Sequence, residues 1–536
     1  MKKFLIIIIL IAAALRFWQL GAVPPSPDWD EAALGYNAYS ILKTGRDEFG
    51  VFLPRVLRSF DDFKPPLYAY LAIPSVAVFG LEVASVRLPS AVMGVLAVLG
   101  TYFLIFEILS REKRRAENEV IALLTAFLLA ISPWHIQFSR IAFEANIALT
   151  ITIWAVYALL RGLSQTKWMA ASAFLFGLGF YAYHSARVFL PLIALVLLFV
   201  YKKEILAAPK RLAIGVAVGL LTILPLLPVL FSSQSVTRLS GTSVLADKTG
   251  ILMRSVAKLQ DDQAAGNPFG ILFDNRRVVY AQKLLDGYLS HFSMRWLFLT
   301  GDNDRHHAPG MGLLYLAELP FLLWGIFLVW KRKDRVSRIF LSWALLAPIA
   351  ASPTSETPHA IRSLVFLPAL QFFVATAILA FWEKKGKWAI LVKAVFVAVF
   401  AVNIVFYLHM YFVHMNIEYS KFWQYGYKQA VEYAKENRSK YEKIVVSTRL
   451  EQPHMFFLFY TKYDPVKYLS EGGTASGGFA EWRNRFDIYE FRPIYDWQKE
   501  IRDGKTLYIG TPGEILNGPI NSIYYLNGEE AIRMGK

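Results

Sequence analysis

The chain contains no cysteine in 536 residues. That excludes disulfides, zinc–thiolate centres and cysteine nucleophiles. Charge is also scarce: 18% of residues are charged and 55% hydrophobic, whereas a soluble domain carries about a quarter charged residues. The apolar residues fall in blocks long enough to cross a bilayer, which takes about 20 residues of helix. No small-residue cleavage site follows the first block, Phe4–Leu20, which Lys2 and Lys3 precede. It is therefore read as a retained anchor. "RHH" (Arg305–His307) lacks the spacing of two His at i,i+4, so no metal and no cofactor is expected. No internal repeat or low-complexity tract stands out.

The formal net charge is +16, and most basic clusters sit in short loops between apolar blocks. This is the positive-inside pattern of a multi-pass membrane protein, not a nucleic-acid surface. Basic loops at Met1–Lys3, Ser110–Glu119, Arg161–Lys167, Tyr201–Arg211, Lys331–Arg338 and Glu383–Lys387 place those segments in the cytoplasm. Eleven spans follow, near 4–20, 88–109, 120–134, 143–161, 168–183, 188–201, 212–231, 311–330, 338–351, 362–382 and 388–411. The N-terminus is then cytoplasmic and the C-terminus extracytoplasmic. Pro65–Gly80 is apolar but short and carries three prolines, and a crossing there would put the later basic loops outside. It is read as interfacial or re-entrant.

The expected architecture is a mainly α polytopic domain, residues 1–411, with outer loops 21–87, 231–310 and 352–361. A small soluble α/β domain, residues 412–536, completes it outside the cytoplasmic membrane. Its predicted elements are helices 418–437, 453–461 and 495–502 and strands 443–447, 486–491 and 506–510. "EGGTASGG" (Glu471–Gly478) lacks the strand-to-helix setting of a phosphate cradle and reads as a flexible loop.

Ionisable residues gather on the outer face: Asp28, Asp30, Glu31, Asp61, Asp62 and Glu144 with Lys64, Arg87, Arg140, Arg187, Arg362, His184 and His359. Such groups at a membrane edge have partners or functions. Bases beside acids suit the holding of a phosphate while a carboxylate handles a neighbouring proton. Each piece also has a structural reading. Asp28 and Glu31 have capping-box spacing. Lys64 before two prolines can snorkel. Arg140 and Glu144, four apart, can pair on one helical face. His184 and Arg187, like His359 and Arg362, lie one helical turn apart. Glu318, inside a span, is either a buried partner for an arginine or a proton-relay residue. The tail aromatics Phe422, Trp423, Tyr425 and Tyr427 can stack on sugars or pack against the rest of the protein.

The order of these pieces resembles the GT-C membrane glycosyltransferases, in the branch of protein O-mannosyltransferases and lipid A aminoarabinose transferases. "DWDEAALGYNAYSIL" is similar to the acidic motif early in the first outer loop, and "KPPLYAYL" to the Lys-Pro motif at its end. "RLPSAV", "FSRIAFEAN" and "HAIRSLVFLP" match later motifs. The resemblance covers residues 1–411; the tail is similar only in position and class. It implies an inverting transfer of a sugar from a polyprenyl-phosphate donor to an acceptor hydroxyl. By position, Asp30 becomes the catalytic carboxylate and Glu144 the second acid near acceptor or sugar. Lys64 holds the donor phosphate, with Arg187 and Arg362 as further contacts and Glu31, Arg140, His184 and His359 beside them. Two departures stand out. Glu144 is longer than the usual aspartate, and Ala33 replaces an arginine of the aminoarabinose branch. The implied sugar is a mannose-like hexose or a modified pentose, and the acceptor a lipid, glycan or protein. Competing readings are a transporter or flippase of lipid-linked saccharides, a silent relative whose tail binds glycan, and an oligosaccharyltransferase-like enzyme.

Overall fold

The computed structural model describes residues 2–60, 62–112, 115–230, 232, 243–244, 250–475, 485–500 and 503–536. Asp61, the end of the Gly-rich loop and residues 501–502 of an expected helix lie outside the described residues. The protein is mainly helical, with a sheet near its C-terminus. Two compact units are present. One comprises Met1–Ile8, Ala97–His135 and Ala148–Asn403; the other Ile9–Leu96, Ile136–Ile147 and Ile404–Lys536.

Each of the eleven apolar blocks overlaps a helix, but not over its whole length: block 311–330 is α-helical only from Leu319, block 338–351 only to Leu346, and block 212–231 is divided at Leu224–Leu226. Among the described residues, five helices are long and apolar enough to cross a membrane by themselves: Val83–Ser110, Glu144–Gly162, Pro209–Val229, Leu364–Glu383 and Ala389–Glu418. Most of the rest are shorter. Leu67–Phe79 has 13 residues, or about 20 Å at 1.5 Å per residue, short of the roughly 30 Å hydrocarbon layer.

In the first unit the helix Leu367–Glu383 packs against Leu319–Arg332 and Arg115–Ile131. Gly325 permits the closest approach: a Cβ there would fall 1.9 Å from the Phe373 carbonyl oxygen. The helix Arg335–Leu346 packs on His184–Val200, with Trp343 against Phe189 at 5.4 Å between ring centroids. Glu318 is buried, and neither carboxylate oxygen has a hydrogen-bond partner among the described residues. The arginine partner considered for it is not found there.

The second unit is built around the helix Trp29–Thr44, packed against Leu67–Phe79, Pro453–Thr461 and Pro465–Ser470. Gly35 makes this possible, because a Cβ there would lie 2.6 Å from Val86 Cγ2 and 2.8 Å from Phe459 Cε2. Behind Pro453–Thr461 stands a six-stranded sheet in the order Arg485–Phe486, Tyr489–Phe491, Lys443–Val446, Thr506–Gly510, Glu530–Gly535, Asn521–Tyr524. Lys443–Val446 is parallel to both neighbours, and the outer pairs are antiparallel. Thr506–Gly510 is buried throughout, as expected of a strand covered on both faces.

Several tail elements differ from expectation. The strand expected over 486–491 is two, Arg485–Phe486 and Tyr489–Phe491, paired antiparallel. Residues 495–500 are not helical and turn at 497–499, because the Asp496 carboxylate accepts from Gln498 N at 3.0 Å and Trp497 enters the core with Val445, Ile494, Tyr508 and Ile515. The helix expected over 418–437 is interrupted by turns and resumes at Tyr427–Glu436. Strands Asn521–Tyr524 and Glu530–Gly535 were not anticipated; Asn521 and Ser522 in the first, and Glu530 and Arg533 in the second, blur the apolar alternation. Trp423 is fully buried and Tyr427 stacks on Phe456 at 3.9 Å, so both pack inside the protein.

Candidate active site

The acidic run is placed by two buried arginines. The helix Lys2–Phe17 ends with unpaired carbonyls, as every helix does. Arg140 supplies donors at that end and just beyond it: Nη1 donates to Leu15 O at 2.9 Å and Arg16 O at 3.2 Å in the last turn, and Nη2 to Val23 O at 2.9 Å and Gln19 O at 3.3 Å in the following loop. Arg87 fixes the next stretch, donating to Leu20 O at 3.2 Å, Pro24 O at 2.9 Å and Ser26 O at 2.8 Å. Both guanidinium groups are fully buried. Together they hold residues 15–26, the segment that delivers Asp28, Asp30 and Glu31.

The three acids then divide by role. Asp28 is the N-cap of Trp29–Thr44, accepting from Glu31 N at 2.9 Å. Glu31 does not complete a capping box. Its carboxylate accepts from Arg87 Nε and Nη2, each at 2.8 Å, and from Ala142 N at 2.7 Å. Asp30 makes an ion pair with Lys64, and these two side chains retain 23% and 12% exposure, against 1% and 0% for Glu31 and Arg87. Of the two acid–base pairs, the Asp30–Lys64 pair is therefore the one open to another molecule.

Lys64 ends the strand Asp62–Lys64, paired antiparallel with Leu57–Ser59 in the register Leu57↔Lys64. Pro65 has no N–H for the ladder, so pairing stops there and the chain turns into Leu67–Phe79. Burial works against the lysine's charge, but the carboxylates of Asp30 and Glu144 outweigh it and hold Lys64 above the ordinary lysine range. Lys64 is thus a fixed cation facing two acids.

Arg140 and Glu144 do not share a helical face. One helix ends at Arg140 and the next begins at Glu144, so the i,i+4 pairing is replaced by the carbonyl contacts of Arg140. The break has a use. It frees the Ala142 N–H for Glu31 and puts Glu144, 5% exposed, in the first turn of Glu144–Gly162, where the helix dipole favours an anion.

The remaining predicted residues lie in the other unit. Arg187 Nε donates to Phe180 O at 2.9 Å, and Nη1 lies 3.1 Å from His184 Nδ1. His359 is buried, its backbone N–H donating to His291 Nε2 at 3.1 Å. Arg362 Nη1 is buried with no hydrogen-bond partner among the described residues. The structural role of Arg87 was not anticipated from sequence, since Glu31 lies far away along the chain.

Comparison with known proteins agrees with this architecture. Residues 63–228 match the family model described as Dolichyl-phosphate-mannose-protein mannosyltransferase. ArnT from Cupriavidus metallidurans, apo, aligns over 99% of this chain and 98% of its own, with TM-score 0.55 and 13% identity. The same protein bound to undecaprenyl phosphate gives 0.53 and 13% over the same shares. The archaeal oligosaccharyltransferase AglB from Archaeoglobus fulgidus, solved with an inhibitory peptide and a dolichol-phosphate, gives 0.50 and 13% over 86% of this chain. The present chain covers 63% of AglB's length. No curated protein matches in sequence. The chain has the fold of the GT-C membrane glycosyltransferases.

Proposed function

We propose that the protein is an integral membrane glycosyltransferase that moves a sugar from a polyprenyl-phosphate donor to an acceptor hydroxyl with inversion. The observation that carries this reading is the contrast between the sealed Glu31–Arg87 pair and the accessible Asp30–Lys64 pair. The ArnT structure with undecaprenyl phosphate supports the donor class.

In the resting state Asp30 and Lys64 neutralise each other. A donor phosphate competes for the Lys64 ammonium and leaves the Asp30 carboxylate free to accept a hydrogen bond from the acceptor hydroxyl. The hydroxyl oxygen attacks the anomeric carbon as the bond from that carbon to the phosphate oxygen breaks. The hydroxyl proton passes to Asp30, and the electron pair leaves with the phosphate. Its growing charge falls on Lys64, in the manner of electrostatic stabilisation prepared before the reaction. This step draws its positive charge from Lys64 and requires no metal. Glu144 contacts the sugar or the acceptor and keeps Lys64 protonated. Glu31 and Arg140 are positioning residues that hold the backbone around Asp30.

The sugar, a hexose or a modified pentose, and the acceptor are set by groups outside this pair. The protein resides in the cytoplasmic membrane with its tail outside. The test is purified protein in lipid with a panel of radiolabelled polyprenyl-phosphate sugars and an envelope extract. Label transfer names the donor. Movement of the lipid-linked sugar across vesicles without transfer would overturn the reading in favour of a flippase.

A further inference from the structure

We propose that Asp302, His306 and His359 form a binding site for one divalent transition-metal ion of the zinc class. Their ligand atoms lie within 4.8 Å of one another. Ligands on one zinc stand about 3.4 Å apart, from bonds near 2.0–2.1 Å and tetrahedral angles. Small rotations about side-chain bonds close the difference.

The site is already half assembled. Asp302 Oδ2 lies 2.8 Å from His306 Nδ1, four residues along the same loop, and accepts from Ala360 N at 2.9 Å. The second oxygen, Oδ1, is buried with no hydrogen-bond partner among the described residues, as is His359 Nδ1. Two buried polar atoms without partners in one cluster are costly, and a cation would satisfy both. The His306 and His359 rings face each other at 5.1 Å. Glu356 Oε2 lies 3.8 Å from His359 Nε2 and offers a further carboxylate. The cluster lines a cavity of about 630 Å³ through which an ion and a water could enter.

Ligand type selects the metal. Asp302 and Glu356 are set against Arg295, which lines the same cavity, and Arg362, whose charge acts on His359. Net negative charge is therefore small, and the imidazoles must carry the affinity. That favours zinc, cobalt or nickel over calcium or magnesium, which require oxygen cages. Such an ion would tie residues 302–306 to residues 356–359. It is independent of the transfer step proposed above.

The test is a zinc titration of chelator-treated full-length protein in detergent, in competition with a chromophoric chelator, followed by the visible spectrum with Co²⁺. One tight site per chain is expected. Asp302→Asn and His359→Gln should each weaken it at least tenfold, and Co²⁺ should show the intense bands of a four- or five-coordinate ion. The His409–His414 pair, 3.1 Å apart and exposed, is the adventitious alternative; replacing both by alanine should change nothing. His359→Cys adds a signature that misfolding cannot mimic. The native chain has no cysteine, so a thiolate–Co²⁺ charge-transfer band would report residue 359 as a ligand. Absence of stoichiometric binding would overturn the proposal, as would loss of the site in the His409/His414 variant. So would a His359→Cys protein that binds Co²⁺ without that band.

Discussion

Arg87 presents Nε and Nη2 side-on to the two oxygens of Glu31, each at 2.8 Å, with both side chains sealed from solvent. Removing one member leaves the other charged and buried, which costs about 3–5 kcal/mol. Glu31→Gln is expected to lower the apparent Tm by several degrees whether or not donor is present. A differential scan of both proteins in the same detergent checks it. An unchanged Tm would mean that the pair does not hold this segment.

Lys64 is the cation proposed to take up the charge of the leaving phosphate. Lys64→Met should lower kcat/KM by about 10²–10³, the range for removal of one charge-stabilising donor, while leaving Tm within a degree or two. Lys64→Arg keeps the charge and should retain a measurable part of the activity. Initial rates over a range of donor concentrations separate these outcomes.

The close packing at Gly35 predicts a folding defect from a single methyl group. Gly35→Ala would drive Cβ into Val86 and Phe459, and overpacking of this kind costs about 1–3 kcal/mol. Lower yield and lower Tm of the variant, partly restored by Phe459→Leu, would confirm the contact.

Glu48 gives a pH dependence with a definite sign. Its side chain is buried, accepting from Asn37 Nδ2 at 2.9 Å and Thr474 Oγ1 at 2.6 Å. Burial raises its pKa from 4.5 to about 7, against the lowering effect of those hydrogen bonds. Between these values the unfolded chain has lost the proton that the folded chain keeps. Stability therefore falls as pH rises from 4.5 to 7, by up to about 3 kcal/mol at 1.36 kcal/mol per unit. Glu48→Gln should flatten this part of the Tm–pH curve and raise Tm at pH 8.

Much of this was legible in the sequence because it rests on local rules. The apolar blocks largely overlie helices, Asp28 caps the helix it precedes, and Pro453–Thr461 begins where its proline permits. What sequence could not show depends on partners distant along the chain. Glu31 has the spacing of a capping-box residue, yet its bonds go to Arg87 and Ala142. Arg140 and Glu144 have the spacing of a helical pair, but the helix breaks between them. Asp302 and His306 stand four apart in "DNDRHH", a local signal passed over because their third member, His359, comes from another loop. Trp497 looks helical in its neighbourhood and is instead drawn into the sheet's core.

The central claim, that Asp30 accepts the acceptor's proton while Lys64 holds the phosphate, is tested most directly by one comparison. Donor binding and sugar transfer would be measured on the same preparations of the native protein and Asp30→Asn. The account predicts that Asp30→Asn binds a polyprenyl-phosphate sugar at least as tightly, because Lys64 loses its competing carboxylate, while transfer falls by about 10²–10⁴, the range for loss of a general base. Undiminished transfer by a donor-saturated Asp30→Asn protein would contradict it.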